Sequence, residues 1–302
     1  MLGIALSLLS AFSFAMNNVL IRRGVTAASP AQGIFVTVWL GVPLFLIAAL
    51  ATGHLSRAGE LSWLAYVWLA AAGIVHFIIG RYGNYRSIQA MGANRVAPVQ
   101  SLSIPYSVAV AVILFDETVT LLMAIGIALI IVGPLIMVQR RRAAVAVGAA
   151  PASSQTFAPK LAEGYLWGAI SSLSYGTSPL FIKAAIEDIP VSMFGGFVSY
   201  LAAGLVLLFI MSPVKRAQHL RSINGMSFRF FLAGGTSVFF AQLFRYAALA
   251  VAPVSIVTPL LRMGDVFTLF LSFFMNRRME SFGPRVVGGI LISVAGALLL
   301  AL

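Results

Sequence analysis

The chain has no cysteine, which excludes disulfides and thiolate metal sites. Its three histidines, His54, His76 and His219, lie far apart without metal-ligand spacing, and no HExxH occurs. These lacks predict no metal and no cofactor. Acids are scarce, with 8 Asp and Glu against 20 Lys and Arg. Charge of either sign is scarce, at 9% of residues, where a soluble domain carries about a quarter. No phosphate-binding P-loop is present, so any active transport must draw on a gradient. No filter-like motif or repeated charged ring suggests a static pore.

What fills the chain is oil. Of 302 residues, 60% are hydrophobic, and the mean hydropathy is +0.99. Apolar runs of about 20 residues recur, each long enough to cross a hydrocarbon core about 30 Å thick. They are continuously apolar rather than alternating, which predicts helices and not a barrel. The lipid bilayer is the first expected partner. Nucleic acid is not, because the basic residues sit in ones, twos and threes at the ends of apolar runs. The opening "MLGIALSLLSAFSFAMNNVL" has no basic segment before its apolar run, so it reads as a first span rather than a cleaved signal.

Ten spans fit: 2–21, 32–51, 62–88, 96–115, 119–138, 164–183, 192–211, 229–249, 254–275 and 285–302. A stretch rich in Ala, Ser and Pro, Arg140–Lys160, divides them. The organisation expected is a first repeat at 1–139, a linker at 140–163 and a second repeat at 164–302. Fifteen basic residues fall on the linker's side of the membrane, while Arg57 and Lys183 fall on the other. Without Arg86, Arg95 and Arg229, which lie at span edges, the bias is still twelve to two. The positive-inside rule then places the linker in the cytoplasm and both termini outside. For a bacterial chain this means a multi-pass protein of the inner membrane.

A shift of 161 positions superimposes "GIALSLLSAFSFAMNNVLIR" (Gly3–Arg22) on "GYLWGAISSLSYGTSPLFIK" (Gly164–Lys183). It pairs Ser10 with Ser171, Tyr85 with Tyr246, Val96 with Val257 and Pro98 with Pro259. Five spans per half force the second half to enter the membrane with opposite polarity. The fold class expected is therefore an all-α polytopic membrane protein, ten transmembrane helices in an inverted five-plus-five repeat. Such repeats are transporter architectures that alternate access around a midplane site.

Ten spans, the repeat, the matched prolines Pro98 and Pro259 and the acidic "DET" (Asp116–Thr118) resemble the drug/metabolite transporter superfamily, in its EamA branch. The resemblance covers the whole chain. It implies export or exchange of amino acids, small metabolites or sugars, through a site between spans one, three, four, six, eight and nine. Glu280 falls two residues late relative to Glu117, so no role is drawn from either acid.

Ionisable residues within spans are costly and mark function. Arg262 and Asp265, in "PLLRMGDVFT", share a helical face at i,i+3, either to receive an anionic substrate or as a structural ion pair. Asp265 is also the candidate proton carrier, with His76 a second. Span three carries Arg81, Tyr82, Tyr85 and Arg86. Span eight answers with Gln242, Arg245 and Tyr246, aligned with Arg81, Asn84 and Tyr85. Arginine with tyrosine suits a carboxylate or phosphate. The alternative for Arg86 and Arg245 is snorkelling to the interface. Span one carries Asn17 and Asn18; its counterpart in span six, "SYGTSPL", carries Tyr175 and Pro179, and the proline predicts a broken helix at the position matching Asn18; interhelical hydrogen bonding is the alternative. Gln100 and Ser101 in span four stand opposite the charged turn of span nine.

Three span arginines (Arg81, Arg245, Arg262) less one aspartate (Asp265) leave an excess of about +2, which favours anions or zwitterions. The function expected is secondary active transport of small organic solutes bearing a negative group. The alternative is proton-coupled export of lipophilic cations, with Asp265 as the only intramembrane acid. An intramembrane enzyme is set aside. The "GTSP" serine (Gly176–Pro179) has no histidine in a later span to act as base, and "GD" (Gly264–Asp265) has no second aspartate. Two halves in one chain make a complete pathway without an oligomer.

Overall fold

The computed structural model describes residues 2–106, 109–110, 120–138, 158–186, 191–210, 221–251, 257 and 260–299. Among them are ten helices: α1 (Leu2–Gly24), α2 (Pro30–Ala51), α3 (Trp63–Met91), α4 (Ala93–Ser101), α5 (Leu121–Val138), α6 (Leu161–Ile186), α7 (Ser192–Ile210), α8 (Gly225–Val251), α9 (Met263–Met275) and α10 (Pro284–Leu299). The described residues contain no strand. The motif Asp116–Thr118, Pro259, His219, Arg140–Arg142 and the ends of spans four and nine lie outside the described residues.

Local chemistry places the starts. Ser29 and Gln32 form a reciprocal capping box ahead of α2, and Pro30 begins the helix where its missing N–H costs nothing. The Ser62 hydroxyl accepts from the Ala65 N–H at 3.2 Å to open α3. Between α3 and α4 the chain turns at Gly92, whose φ of +88° suits glycine alone.

The surface is inside-out for a water-soluble protein. Phe209 is 92% exposed and Trp63 75%, while Arg81, Gln242 and Asn17 are buried. Leu2–Gly24, Pro30–Ala51, Trp63–Met91 and Ser192–Ile210 are each long and apolar enough to cross a membrane. The chain is a multi-pass membrane protein.

The packing obeys a pseudo-two-fold exchange of the two halves. Helix α1 lies on α8 and α6 on α3; α2 lies on α7, α4 on α9 and α5 on α10. Ser10 Oγ donates to the Ala241 carbonyl at 2.7 Å, and Ser171 Oγ donates to the Gly80 carbonyl at 2.7 Å. Both partners are related by the same 161-residue shift. In the self-equivalent pair α5 and α10, Gly133 meets Ser293 while Gly296 meets Leu129 and Ile130, so the two run antiparallel. A two-fold axis relating antiparallel rods is perpendicular to them, which makes the repeat inverted.

One expectation changes, and two features are added to it. Helix α6 runs unbroken through Pro179. The discontinuities lie at the end of α4 and just before α9, at turns on Leu102 and Arg262, within one residue of each other under the 161-residue shift. Arg22, taken as an orientation residue of the first loop, is buried in the last turn of α1. It sits there because Glu280, to which no role was given, supplies a counter-charge 3.2 Å away.

Candidate functional site

The centre of the bundle is built on α3. Residues Ile74–Gly80 widen into a π-helical stretch, a distortion common at functional sites. It lies against α6, where Tyr175 packs beneath Gly80. The stretch presents His76 and Phe77, and Arg81 follows directly. Arg81 is 2% exposed. Its Nη2 donates to the Tyr200 hydroxyl at 2.8 Å and its Nη1 to Thr37 Oγ1 at 3.3 Å. The guanidinium lies over the rings of Phe77 (4.7 Å) and Tyr200 (5.2 Å). Among the described residues no carboxylate pairs with it. The ion pairs among the described residues are Arg22–Glu280, Arg57–Glu60 and Arg86–Glu163.

His76 sits beside this cation and is bonded at both nitrogens. Nδ1 is 2.7 Å from Ser178 Oγ and Nε2 is 3.1 Å from Gln242 Nε2. Its ring lies 4.5 Å from that of Tyr175. The "GTSP" serine, set aside because no histidine lies in a later span, does meet a histidine, which arrives from an earlier span. Beyond His76 stands an amide rather than a carboxylate, and all three side chains are buried.

A ladder of amides joins the halves. Tyr85 donates to Asn17 Oδ1 at 3.3 Å, and Asn17 Nδ2 to Asn18 Oδ1 at 3.5 Å. Asn84 Nδ2 donates to Asn18 Oδ1 at 3.2 Å and Gln100 Nε2 to Asn84 Oδ1 at 3.4 Å, while Ser171 Oγ, whose proton goes to the Gly80 carbonyl, lies 3.4 Å from Gln100 Oε1. The ladder runs from α1 through α3 and α4 to α6, with Ser171 its only member from the second half.

Asp265 and Arg262 do not form the ion pair that their spacing offered. The helix breaks at Arg262, which becomes the residue flanking α9, and Asp265 falls in the first turn. There the helix dipole favours a negative charge. Asp265 Oδ2 accepts from Ser101 Oγ at 2.9 Å, joining the fourth helix of one half to that of the other. Arg262 Nε is buried without a hydrogen-bond partner.

Other expected residues stand apart. Tyr82 packs edge-on against Trp167, with centroids 5.1 Å apart, away from Arg81. Arg86 pairs with Glu163 at 2.6 Å instead of reaching alone to the interface. Arg245 lies over the Tyr246 ring at 5.5 Å, and its Nε has no partner. Tyr246 is buried, with its ring 6.4 Å from Phe45. Tyr200, Thr37 and Ser178 were missed. A faint signal existed for one: the 161-residue shift sets Tyr200 on Trp39, matched large aromatics in the second span of each half.

One end of the bundle is stapled. Glu280, in the segment between α9 and α10, accepts from the N–H groups of Ala93 (2.8 Å) and Asn94 (3.1 Å) at the start of α4. It pairs with Arg22, whose Nη2 also donates to the Met279 carbonyl at 2.8 Å. Burial pushes the Glu280 carboxyl above its usual range, against the opposing pull of Arg22 and the two N–H groups. No group of three potential metal ligands occurs among the described residues.

Comparison with known proteins follows the same outline. A solved structure described as "Crystal structure of protein" superimposes with a TM-score of 0.59 at 13% identity, covering 98% of this chain and 96% of its own. At that identity the likeness is one of fold. No match is found among curated protein sequences. The model of the EamA-like transporter family matches residues 1–139 and 162–302, nearly the entire chain in two parts. The chain belongs to the EamA-like transporter family.

Proposed function

We propose that this transporter moves small organic solutes bearing a negative group, amino acids or anionic metabolites, as a secondary exporter or exchanger that alternates access between its repeats. Arg81 carries the reading. A guanidinium taken out of water costs several kcal/mol unless an anion compensates it. Arg81 is 2% exposed, and its contacts among the described residues are hydroxyls and ring faces. A substrate carboxylate or phosphate supplies the missing charge through two parallel hydrogen bonds. Arg245 and Arg262 add positive charge in the membrane interior, and His76, Gln242 and the amide ladder supply neutral partners for the rest of the solute.

In this reading the repeats are 1–139 and 164–302, with 140–163 as a cytoplasmic linker and both termini outside a bacterial inner membrane. One chain suffices.

A second reading, proton-coupled export of lipophilic cations, finds support in Asp265, a buried carboxylate outside all three described ion pairs. Exchange assays in proteoliposomes separate the two. Vesicles are loaded with amino acids, dicarboxylates, sugar phosphates or tetraphenylphosphonium. The anion reading expects exchange of an anionic or zwitterionic solute that Arg81→Lys impairs, because lysine keeps the charge and loses the fork. Exchange of tetraphenylphosphonium alone, lost in Asp265→Asn and kept in Arg81→Lys, would overturn it in favour of the second.

A further inference from the structure

We infer that Tyr200 is an internal stand-in for the substrate's anionic group: its hydroxyl holds the Arg81 guanidinium and must leave before a carboxylate or phosphate binds. This rests on the anion reading above.

The geometry is that of a placeholder. The Tyr200 oxygen accepts from Arg81 Nη2 at 2.8 Å, the place one oxygen of a bidentate anion takes. Thr37 Oγ1, at 3.3 Å from Nη1, occupies the place of the other. The two neutral hydroxyls each engage one Nη and bring no negative charge, so an anion that displaces them keeps these hydrogen bonds, makes them charge-assisted and adds the counter-charge. The phenol comes from α7, in the second half, and the arginine from α3, in the first. Relative movement of the halves therefore stretches this contact, while Thr37 and Arg81 stay together in the first half.

The ring is seated to reach this far. It lies over Gly41 of α2, where any side chain would collide with it. It stacks on Phe45 (centroids 5.2 Å, planes 25° apart) and packs at a tilt of 31° on Phe77 (centroids 3.9 Å). Substrate affinity is then the intrinsic affinity of Arg81 reduced by the fraction of molecules in which Tyr200 still occupies it. This makes Tyr200 a residue that sets affinity through Arg81, not one that touches the solute.

The test is calorimetric titration of the detergent-purified full chain with benzoate and with inorganic phosphate. Wild type, Tyr200→Phe and Arg81→Gln are compared. Tyr200→Phe keeps the ring stack and removes the competing oxygen. It is expected to tighten binding of at least one probe by roughly tenfold, the worth of one hydrogen bond to a charged group. Arg81→Gln is expected to abolish binding. A purely structural tyrosine would yield lower thermal stability and no gain in affinity. Thr37→Val carries the same expectation should Tyr200→Phe fail to fold. Unchanged or weaker binding in Tyr200→Phe, with binding lost in Arg81→Gln, overturns the inference and leaves the anion reading intact. Equal binding in wild type and Arg81→Gln overturns both. Binding by neither wild type nor Tyr200→Phe overturns the inference, because unmasking Arg81 must unmask an anion site.

Discussion

Arg22 and Glu280 lie 3.2 Å apart with side chains 3% and 1% exposed, and they tie the last turn of α1 to the segment before α10. Removing one partner strands a buried charge, at a cost of about 3–5 kcal/mol. Glu280→Ala is expected to lower the melting temperature steeply, because it also uncaps α4 at Ala93 and Asn94. The exposed pair Arg57–Glu60, at 2.8 Å, is the comparison. Glu60→Ala should leave the melting temperature unchanged. Equal effects of the two substitutions would refute the assignment of Glu280 as a staple.

Ser10 and Ser171 make the same bond to the partner half. Each of Ser10→Ala and Ser171→Ala is expected to destabilise by about 1 kcal/mol, the usual net worth of a hydrogen bond. Placed on different helix pairs, they should add in the double variant. Urea titration in mild detergent measures all three. A large loss from one and none from the other would argue against equivalent packing.

Gly73 of α3 packs against the backbone of α7, and a Cβ there would collide with the Ser199 carbonyl and lie 2.8 Å from Ser199 Cα. A backbone cannot step aside as a side chain can. Gly73→Ala should cost about 1–3 kcal/mol or more by overpacking. Gly59→Ala, with open space around it, should be neutral by the same thermal assay.

His54, in the loop before α3, accepts the Met193 N–H at Nδ1, 3.3 Å, at the start of α7. Burial and then the nearby Arg57 hold its imidazole below the usual 6.5. A base with a depressed folded value stabilises the fold fully above its unfolded value, and that contribution fades as pH falls below 6.5 toward the folded value. Melting temperature should therefore fall on acidification through this window, and His54→Gln should flatten the dependence. An unchanged pH slope in the variant would remove His54 from the account.

Much of the architecture was legible in the sequence, because a repeat is a long-range signal. The shift that aligned Ser10 with Ser171 also predicts their matched bonds to Ala241 and Gly80. The site was read less well. Spacing placed Arg262 and Asp265 on one face, but only for a continuous helix; the turn at Arg262 turns that face and gives Asp265 to Ser101 instead. Pro179 predicted a break, but α6 runs through it. Tyr200 went unnoticed, since the one phenol of an apolar span reveals nothing of the arginine 119 positions away. The seven-residue π-helical stretch under His76 has no signature that composition or periodicity detects.

The central claim is that Arg81 is a buried cation awaiting an anionic solute. Thermal stabilisation of the purified chain by amino acids, dicarboxylates, sugar phosphates and lipophilic cations, in wild type and Arg81→Gln, tests it most directly. The account predicts stabilisation by an anionic or zwitterionic solute in wild type and its loss in Arg81→Gln. Stabilisation by cations alone, or by anions equally in both proteins, would contradict it.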